Sequence, residues 1–260
     1  KLKSNFHKIE SIISFINLHD LVFIKKIKSD NHKIVFTGKF SKGLKKQNSV
    51  NKLLEIIDKN NLLKNKKFYI KIIKNIPQES GMGGGSMNAS SIINFLVRKK
   101  FLKLAKKKLQ AISNLVGSDV ILGVNQSNKY INDKHNLIKI MNKTGLNLVI
   151  TKPNFGCSTK SIYTNLKLNN NVKTSKKFTN NNLGFVKLKN DLEIPAFKKY
   201  PKLKRLKLYL SSLPNVYFVR MTGSGSSIIA YFLSKKDALN AQKSIKKKYK
   251  NYWCIISKTI

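Results

Sequence analysis

Residues 76 to 96 read IPQESGMGGGSMNASSIINFL. Gly81, Gly83, Gly84 and Gly85 fall just after Pro77 and just before the small residues Ser86, Asn88, Ala89 and Ser90. Glycine tolerates positive φ and lets the backbone come close to a ligand. A helix that opens behind such a turn offers unpaired N–H groups and the positive end of its dipole, which together hold an anion. The chemistry on offer is phosphate binding by main-chain amides, with Ser86 and Asn88 as additional side-chain donors. The spacing is neither G-x-x-x-x-G-K-[ST] nor a G-x-G-x-x-G that opens a first βαβ unit. A strand-to-helix turn with no ligand is the alternative. Three glycines in a row raise the entropy cost of ordering that turn, which speaks for a ligand.

The chain carries only 11 carboxylates among 260 residues, so each position is informative. Asp119 follows one helical pattern and opens the apolar stretch VILGV. A lone carboxylate in apolar surroundings is costly unless it is paired or used; a capping or turn aspartate is the plainer reading. His19, His32 and His135 share no spacing and receive no role. Cys157 and Cys254 stand far apart and form neither a metal pattern nor a disulfide framework. They read as packed thiols in a reducing cytoplasm.

These residues need elements to position them. IESIISFINL (9–18), LVFIKKI (21–27) and KIVFTG (33–38) are rich in Ile, Val and Phe and read as strands. SVNKLLEIIDKN (49–60) has helical spacing, with Ser49 as its N-cap. KFYIKIIKNI (67–76) returns to strand, and Pro77 stops it. Helices are expected over 86–99 and 104–117, the second capped by Gly117. NLVITKP (147–153) reads as a strand, and the polar tract 166–182 as a mobile surface loop. Residues 217–233 give strand, glycine turn, strand; a helix (235–249) and a last strand (253–258) close an α+β chain without internal repeats.

Composition narrows the class. An apolar content of 41% supports a globular core, and no apolar run is long enough to span a membrane. The formal net charge is +41, yet only Arg98, Arg205 and Arg220 among the 52 basic residues are arginine. Lysines are scattered along the whole chain amid abundant Asn and Ile. A nucleic-acid surface favours arginine for bidentate contacts and aromatics for stacking. Compositional drift toward lysine fits better than a specific nucleic-acid partner. The charge still favours an anionic small-molecule substrate.

PQESGMGGGSMNAS resembles the phosphate-binding motif of the GHMP small-molecule kinases. Its triple glycine followed by Ser-x-Asn-Ala is the form found in the branch that phosphorylates a cytidine diphosphate-linked methylerythritol. GSDV (117–120), MTGSGSS (221–227), NFHKIES, KPNFGCST (152–159) and NDLE (190–193) follow in the family's order. The resemblance implies a GHMP kinase fold: an N-terminal ribosomal S5 domain 2-like part (1–145) and a C-terminal ferredoxin-like part (146–260). It implies ATP, with Mg2+, bound along Pro77, Gln78, Glu79, Ser80, Gly81, Met82, Gly83, Gly84, Gly85, Ser86, Met87 and Asn88. It makes Asp119 the base for the substrate hydroxyl. Phe6 is expected to stack on the cytosine and His7 to hydrogen-bond it. Thr159, Gly223, Ser224 and Gly225 are expected to line the substrate side, although an ordinary β-turn fits the two glycines nearly as well.

The sequence also departs from the family. The opening strand with an Ala-Lys-Ile-Asn-type motif does not precede NFHKIES, so a strand with a catalytic lysine is expected upstream of Lys1. Phe6 stands where tyrosine is common, Met82 replaces a common Leu, Met87 replaces a Ser, and Ile121 stands where a proline is usual. YINDKHNLIKI lacks the usual glycine-rich turn. A different GHMP kinase, acting on homoserine or mevalonate, and a basic S5-like RNA-binding module are the rival readings.

Overall fold

The chain is described by a computed structural model covering residues 10–124, 126–132, 137–139, 145–166 and 188–260. It divides into two compact units. The smaller holds residues 18–78 and 82–126; the larger holds the chain up to Asn17, Glu79–Gly81 and Ser127–Ile260. Of the stretch 127–145, the described residues 127–132, 137–139 and 145 fall in the larger unit.

Strand β1 (Ser11–Ile13) belongs to the larger unit. The smaller unit begins with β2 (Leu21–Ile27) and β3 (Lys33–Thr37), followed by α1 (Ser49–Lys59) and β4 (Lys67–Ile73). β4 is central, antiparallel to β2 and parallel to β3. Its period-two pattern buries Phe68, Ile70 and Ile72 on one face. Leu53, Leu54 and Ile57 of α1 share that core with Ile92, Ile93 and Leu96 of α2 (Gly84–Arg98). The N-cap of α1 is Asn48, not Ser49. Asn48 has extended backbone, and its Oδ1 accepts from Val50 N at 3.0 Å and Asn51 N at 3.1 Å, whereas Ser49 is already helical. α3 (Lys106–Val116) ends at Gly117 as expected. That glycine is extended rather than left-handed, and the chain turns at Ser118 and Asp119, with Val120 N donating to Gly117 O at 3.1 Å, into the short α4 (Val120–Val124).

His32 braces this unit. Phe68 N–H donates to its Nδ1 at 3.0 Å, which leaves the proton on Nε2 to donate to Asp58 Oδ1 at 3.2 Å. Its ring stacks on Phe68.

In the larger unit β5 (Lys129–Ile131) pairs with β1 and with β6 (Leu137–Lys139), all antiparallel. β7 (Asn147–Lys152) leads to the short α5 (Thr159–Thr164); α6 (Glu193–Lys199) and α7 (Pro201–Ser211) come later. Then come β8 (Phe218–Met221), β9 (Ile228–Phe232), α8 (Lys235–Lys248) and β10 (Trp253–Lys258). The main sheet has the order β10-β7-β9-β8 and is wholly antiparallel. Val149, Ala230 and Phe232 of the sheet pack with Leu203, Leu206 and Leu210 of α7 and with Ala238 and Ile245 of α8. The expected strands and helices from 21 to 116 and from 147 to 258 are present, with ends shifted by a few residues. The polar tract expected as a surface loop lies, from residue 167 on, outside the described residues.

Candidate active site

Strand β4 feeds the glycine segment, and one main-chain and one side-chain hydrogen bond hold its entrance. Lys74 N donates to Thr37 O at 2.7 Å, and Gln78 Nε2 donates to Lys42 O at 2.8 Å. Gly83, in the left-handed region at φ +67°, is the N-cap of α2, and no side chain caps that helix. The amides of its first turn are therefore left to another acceptor. A Cβ placed on Gly83 would meet nothing within 4 Å, so backbone and solvent face each other there without a side chain between them. Gly84 is packed on Ile76, and Gly85 is exposed beside Ser49 Oγ. A polyphosphate fits this uncapped start.

α4 crosses α2 at close range. A Cβ on Gly123 would lie 2.1 Å from Ser90 Oγ, and Asn94 Nδ2 donates to Gly123 O at 3.0 Å. The approach brings the preceding turn to the start of α2: a Cβ on Gly117 would lie 3.9 Å from Ser86 Oγ. Two residues on, Asp119 is exposed at the head of α4 and accepts from Ser118 Oγ at 3.1 Å. Asp119 is thus not the buried carboxylate that its apolar neighbours suggest. The apolar face of VILGV turns inward after it, and the side chain at the helix start points to solvent. An accessible carboxylate at that position can accept a proton.

In the larger unit Glu79, Ser80 and Gly81 lie along the glycine turn between β8 and β9. Ser226 N donates to Glu79 O and Ser227 N to Ser80 O, both at 3.2 Å, and Thr222 Oγ1 donates to Gly81 O at 3.1 Å. Gly223 (φ +50°) and Gly225 (φ +87°) flank Ser224, whose Oγ is 2.9 Å from Thr159 Oγ1. Three of the residues singled out in distant stretches of sequence, Thr159, Gly223 and Ser224, are thus neighbours. Asn190 Nδ2 fixes the turn by donating to Met221 O and Gly223 O, each at 2.8 Å. That contact gives the NDLE stretch a structural role.

Next to Glu79 lies a cluster of charged and buried side chains. Gly156 leaves room for the Glu79 carboxylate, whose Oε2 would lie 2.3 Å from a Cβ at that position. Lys152 is 7% exposed and donates to Pro153 O at 3.1 Å and Phe155 O at 2.8 Å. Burial pulls the Lys152 ammonium down from its usual range, against the opposing pull of Cys157 and Glu79. Burial likewise pushes the Cys157 thiol up to about 11, with the Lys152 charge acting in the other direction. Both cysteines are free and buried.

Phe6 and His7 lie outside the described residues. Asn88 is 4% exposed, and its side-chain amide turns inward to donate to Asp20 Oδ2 at 2.9 Å rather than outward to a ligand. Asp20 and Lys74, which form a buried ion pair beneath the loop, were not legible from sequence. Among the described residues no group of three or more His, Cys, Asp and Glu side chains stands ready for a metal. A magnesium ion suits this arrangement when most of its ligands come from nucleotide phosphates and water.

Known proteins place the fold and the family. The GHMP kinases N terminal domain family matches residues 48–130, and the GHMP kinases C terminal family matches residues 165–251. A 4-diphosphocytidyl-2-C-methyl-D-erythritol kinase from Pelagibacter ubique is 51% identical over 262 residues, covering 99% of this chain and 92% of its own length. The chain belongs to the 4-diphosphocytidyl-2-C-methyl-D-erythritol kinase family. A kinase of the same name from Petrotoga mobilis is 31% identical, with 87% and 90% of the two chains covered. A solved 4-(cytidine 5'-diphospho)-2C-methyl-D-erythritol kinase superposes with a TM-score of 0.74 at 18% identity, over 96% of this chain and 90% of that one. The homoserine kinase from Cytophaga hutchinsonii reaches 0.69 at 16% identity, over 96% and 88%. At those identities the two structures speak for the fold alone, and it is the GHMP kinase fold that the glycine segment implied. This kinase has, among its described residues, no helix long and apolar enough to cross a membrane.

Proposed function

We propose that this kinase transfers the γ-phosphate of ATP to the 2-hydroxyl of 4-diphosphocytidyl-2-C-methyl-D-erythritol, in the cytoplasm, as a step of the non-mevalonate isoprenoid route. The observation that carries the phosphate half of the reading is the uncapped start of α2 behind the open face of Gly83. The acceptor follows from the relatives' names, with the Pelagibacter ubique kinase aligned along nearly the whole chain.

Phosphoryl transfer depends mainly on positioning and on neutralising charge at the phosphoryl oxygens. The amides of Gly84, Gly85 and Ser86 hold the phosphate tail, and ATP brings Mg2+ with it. Asp119, exposed and beside the start of α2, accepts the proton of the acceptor hydroxyl as that oxygen bonds to the γ-phosphorus and the bond to ADP breaks. Thr159, Ser224 and the flanking Gly223 and Gly225 bound the acceptor. Phe6 stacks on the cytosine and His7 hydrogen-bonds it.

ADP release by the full chain, measured with the cytidine-linked methylerythritol, homoserine and mevalonate in turn, tests the acceptor; turnover is expected with the first alone. Asp119→Asn is expected to lower kcat by on the order of 10²–10⁴ while the ATP dissociation constant stays within about twofold. Wild-type turnover in that variant refutes the base assignment.

A further inference from the structure

One buried carboxylate joins both ends of the glycine segment. Asp20, just before β2, has a side chain 1% exposed. Its Oδ1 accepts from Asn75 N at 2.7 Å and from Ile76 N at 2.9 Å, the two residues that deliver the chain to Pro77. Its Oδ2 accepts from Asn88 Nδ2 at 2.9 Å, in the second turn of α2, and from the Lys74 ammonium. These residues all belong to the smaller unit.

Four donors match the four lone-pair sites of a carboxylate, so Asp20 has no acceptor site left for a metal or a substrate. A buried ion pair is a poor device for stability alone, since a well-packed apolar pair is often as good or better. Its distinctive property is direction: each oxygen fixes particular donors at set positions. The Lys74 charge serves a second purpose. A bare carboxylate beneath the start of α2 would repel an incoming phosphate, and the ammonium, itself 5% exposed on its side chain, cancels it.

We infer that Asp20 is a positioning residue for ATP. Together with Lys74 and Asn88 it pins the entry and the exit of segment 77–87, so the loop meets the phosphates already shaped. Pre-shaping a loop raises affinity by removing the ordering cost from the binding step. The inference rests on the ATP reading above.

The test is calorimetric binding of ATP with Mg2+ to the full chain, paired with KM for each substrate. Asp20→Asn keeps the size and one carbonyl for the Asn75 and Ile76 amides, but faces its own amide toward Lys74 and Asn88. The expected result is a rise of about tenfold or more in both the ATP dissociation constant and KM for ATP, with KM for the alcohol changed less than twofold. The double variant Asp20→Asn with Lys74→Met leaves no lone buried charge, and is expected to show the same ATP defect in a folded chain. Wild-type ATP affinity in either folded variant, even with a lower Tm, overturns the inference, as does equal weakening of both substrates. Hydrogen exchange on the wild-type chain needs no variant. The Asn75 and Ile76 amides should be protected without ATP, and fast exchange there also overturns it. A wild-type chain that does not bind ATP refutes the kinase reading and the inference with it; one that binds ATP as well as its variants do refutes the inference alone.

Discussion

The glycines of the two turns solve different problems with the same residue. Where Gly81 packs along the turn between β8 and β9, a side chain has nowhere to go. A Cβ on Gly81 would lie 2.1 Å from Thr222 O, one on Gly223 would lie 2.9 Å from Gly81 O, and one on Gly225 would lie 2.9 Å from Met221 Sδ. All three also have positive φ. Gly83 has positive φ as well, yet its missing side chain faces open space. The first group is glycine because protein packs against it. Gly83 combines a left-handed helix start with an unobstructed backbone, the combination that a bound phosphate requires. A glycine motif read from sequence mixes these two causes, and only the surroundings separate them.

Substitutions should separate them as well. Gly81→Ala is expected to have the largest effect: its methyl would overlap a backbone carbonyl that cannot swing away. A loss on the order of 3–5 kcal/mol is expected, seen as a fall in Tm of about 10 °C or more by thermal denaturation. Gly83→Ala should cost only about 1 kcal/mol of left-handed strain, so Tm should move by about 3 °C. Its ATP dissociation constant should nevertheless rise by about tenfold, because the methyl occupies the open face proposed to take the phosphates. Equal stability losses at the two positions, or unaltered ATP affinity for Gly83→Ala, would erase the distinction. The smallest effect belongs to Thr159→Val, which removes the 2.9 Å contact with Ser224 Oγ while keeping the shape. A loss of about 1 kcal/mol is expected, read as a several-fold rise in KM for the alcohol with KM for ATP unchanged.

Sequence reading reached the features with a local signature. The glycine run, the helix behind it and the TGSG turn announce themselves through residues that only special backbone requires. The strands β2, β3 and β4 announce themselves through runs of β-branched and aromatic residues. The failures share a different cause. Asp20 lies in NLHDLVF and looks like a turn residue, because its donors are 54 to 68 positions away. His32 carries no spacing signal either, since its partners Asp58 and Phe68 are reached only through the fold. Asp119 reads from sequence as a carboxylate opening an apolar stretch, but its exposure depends on which face of α4 meets α2. Asn88 reads as a ligand donor from its place beside the glycine run, whereas its amide is committed to Asp20. Choosing Ser49 over Asn48 as the α1 cap was an error of one position, decided by a backbone angle that composition does not reveal.

The concealed thiols have a practical consequence. The two cysteines of the chain, Cys157 and Cys254, are 1% and 8% exposed, and burial keeps the first protonated far above neutral pH. Alkylating reagents should therefore pass over both, and a cysteine introduced on the surface would be the one that reacts. Fluorophores can then be attached, one to each compact unit, without deleting a native residue, and the separation of the units can be followed through a catalytic cycle.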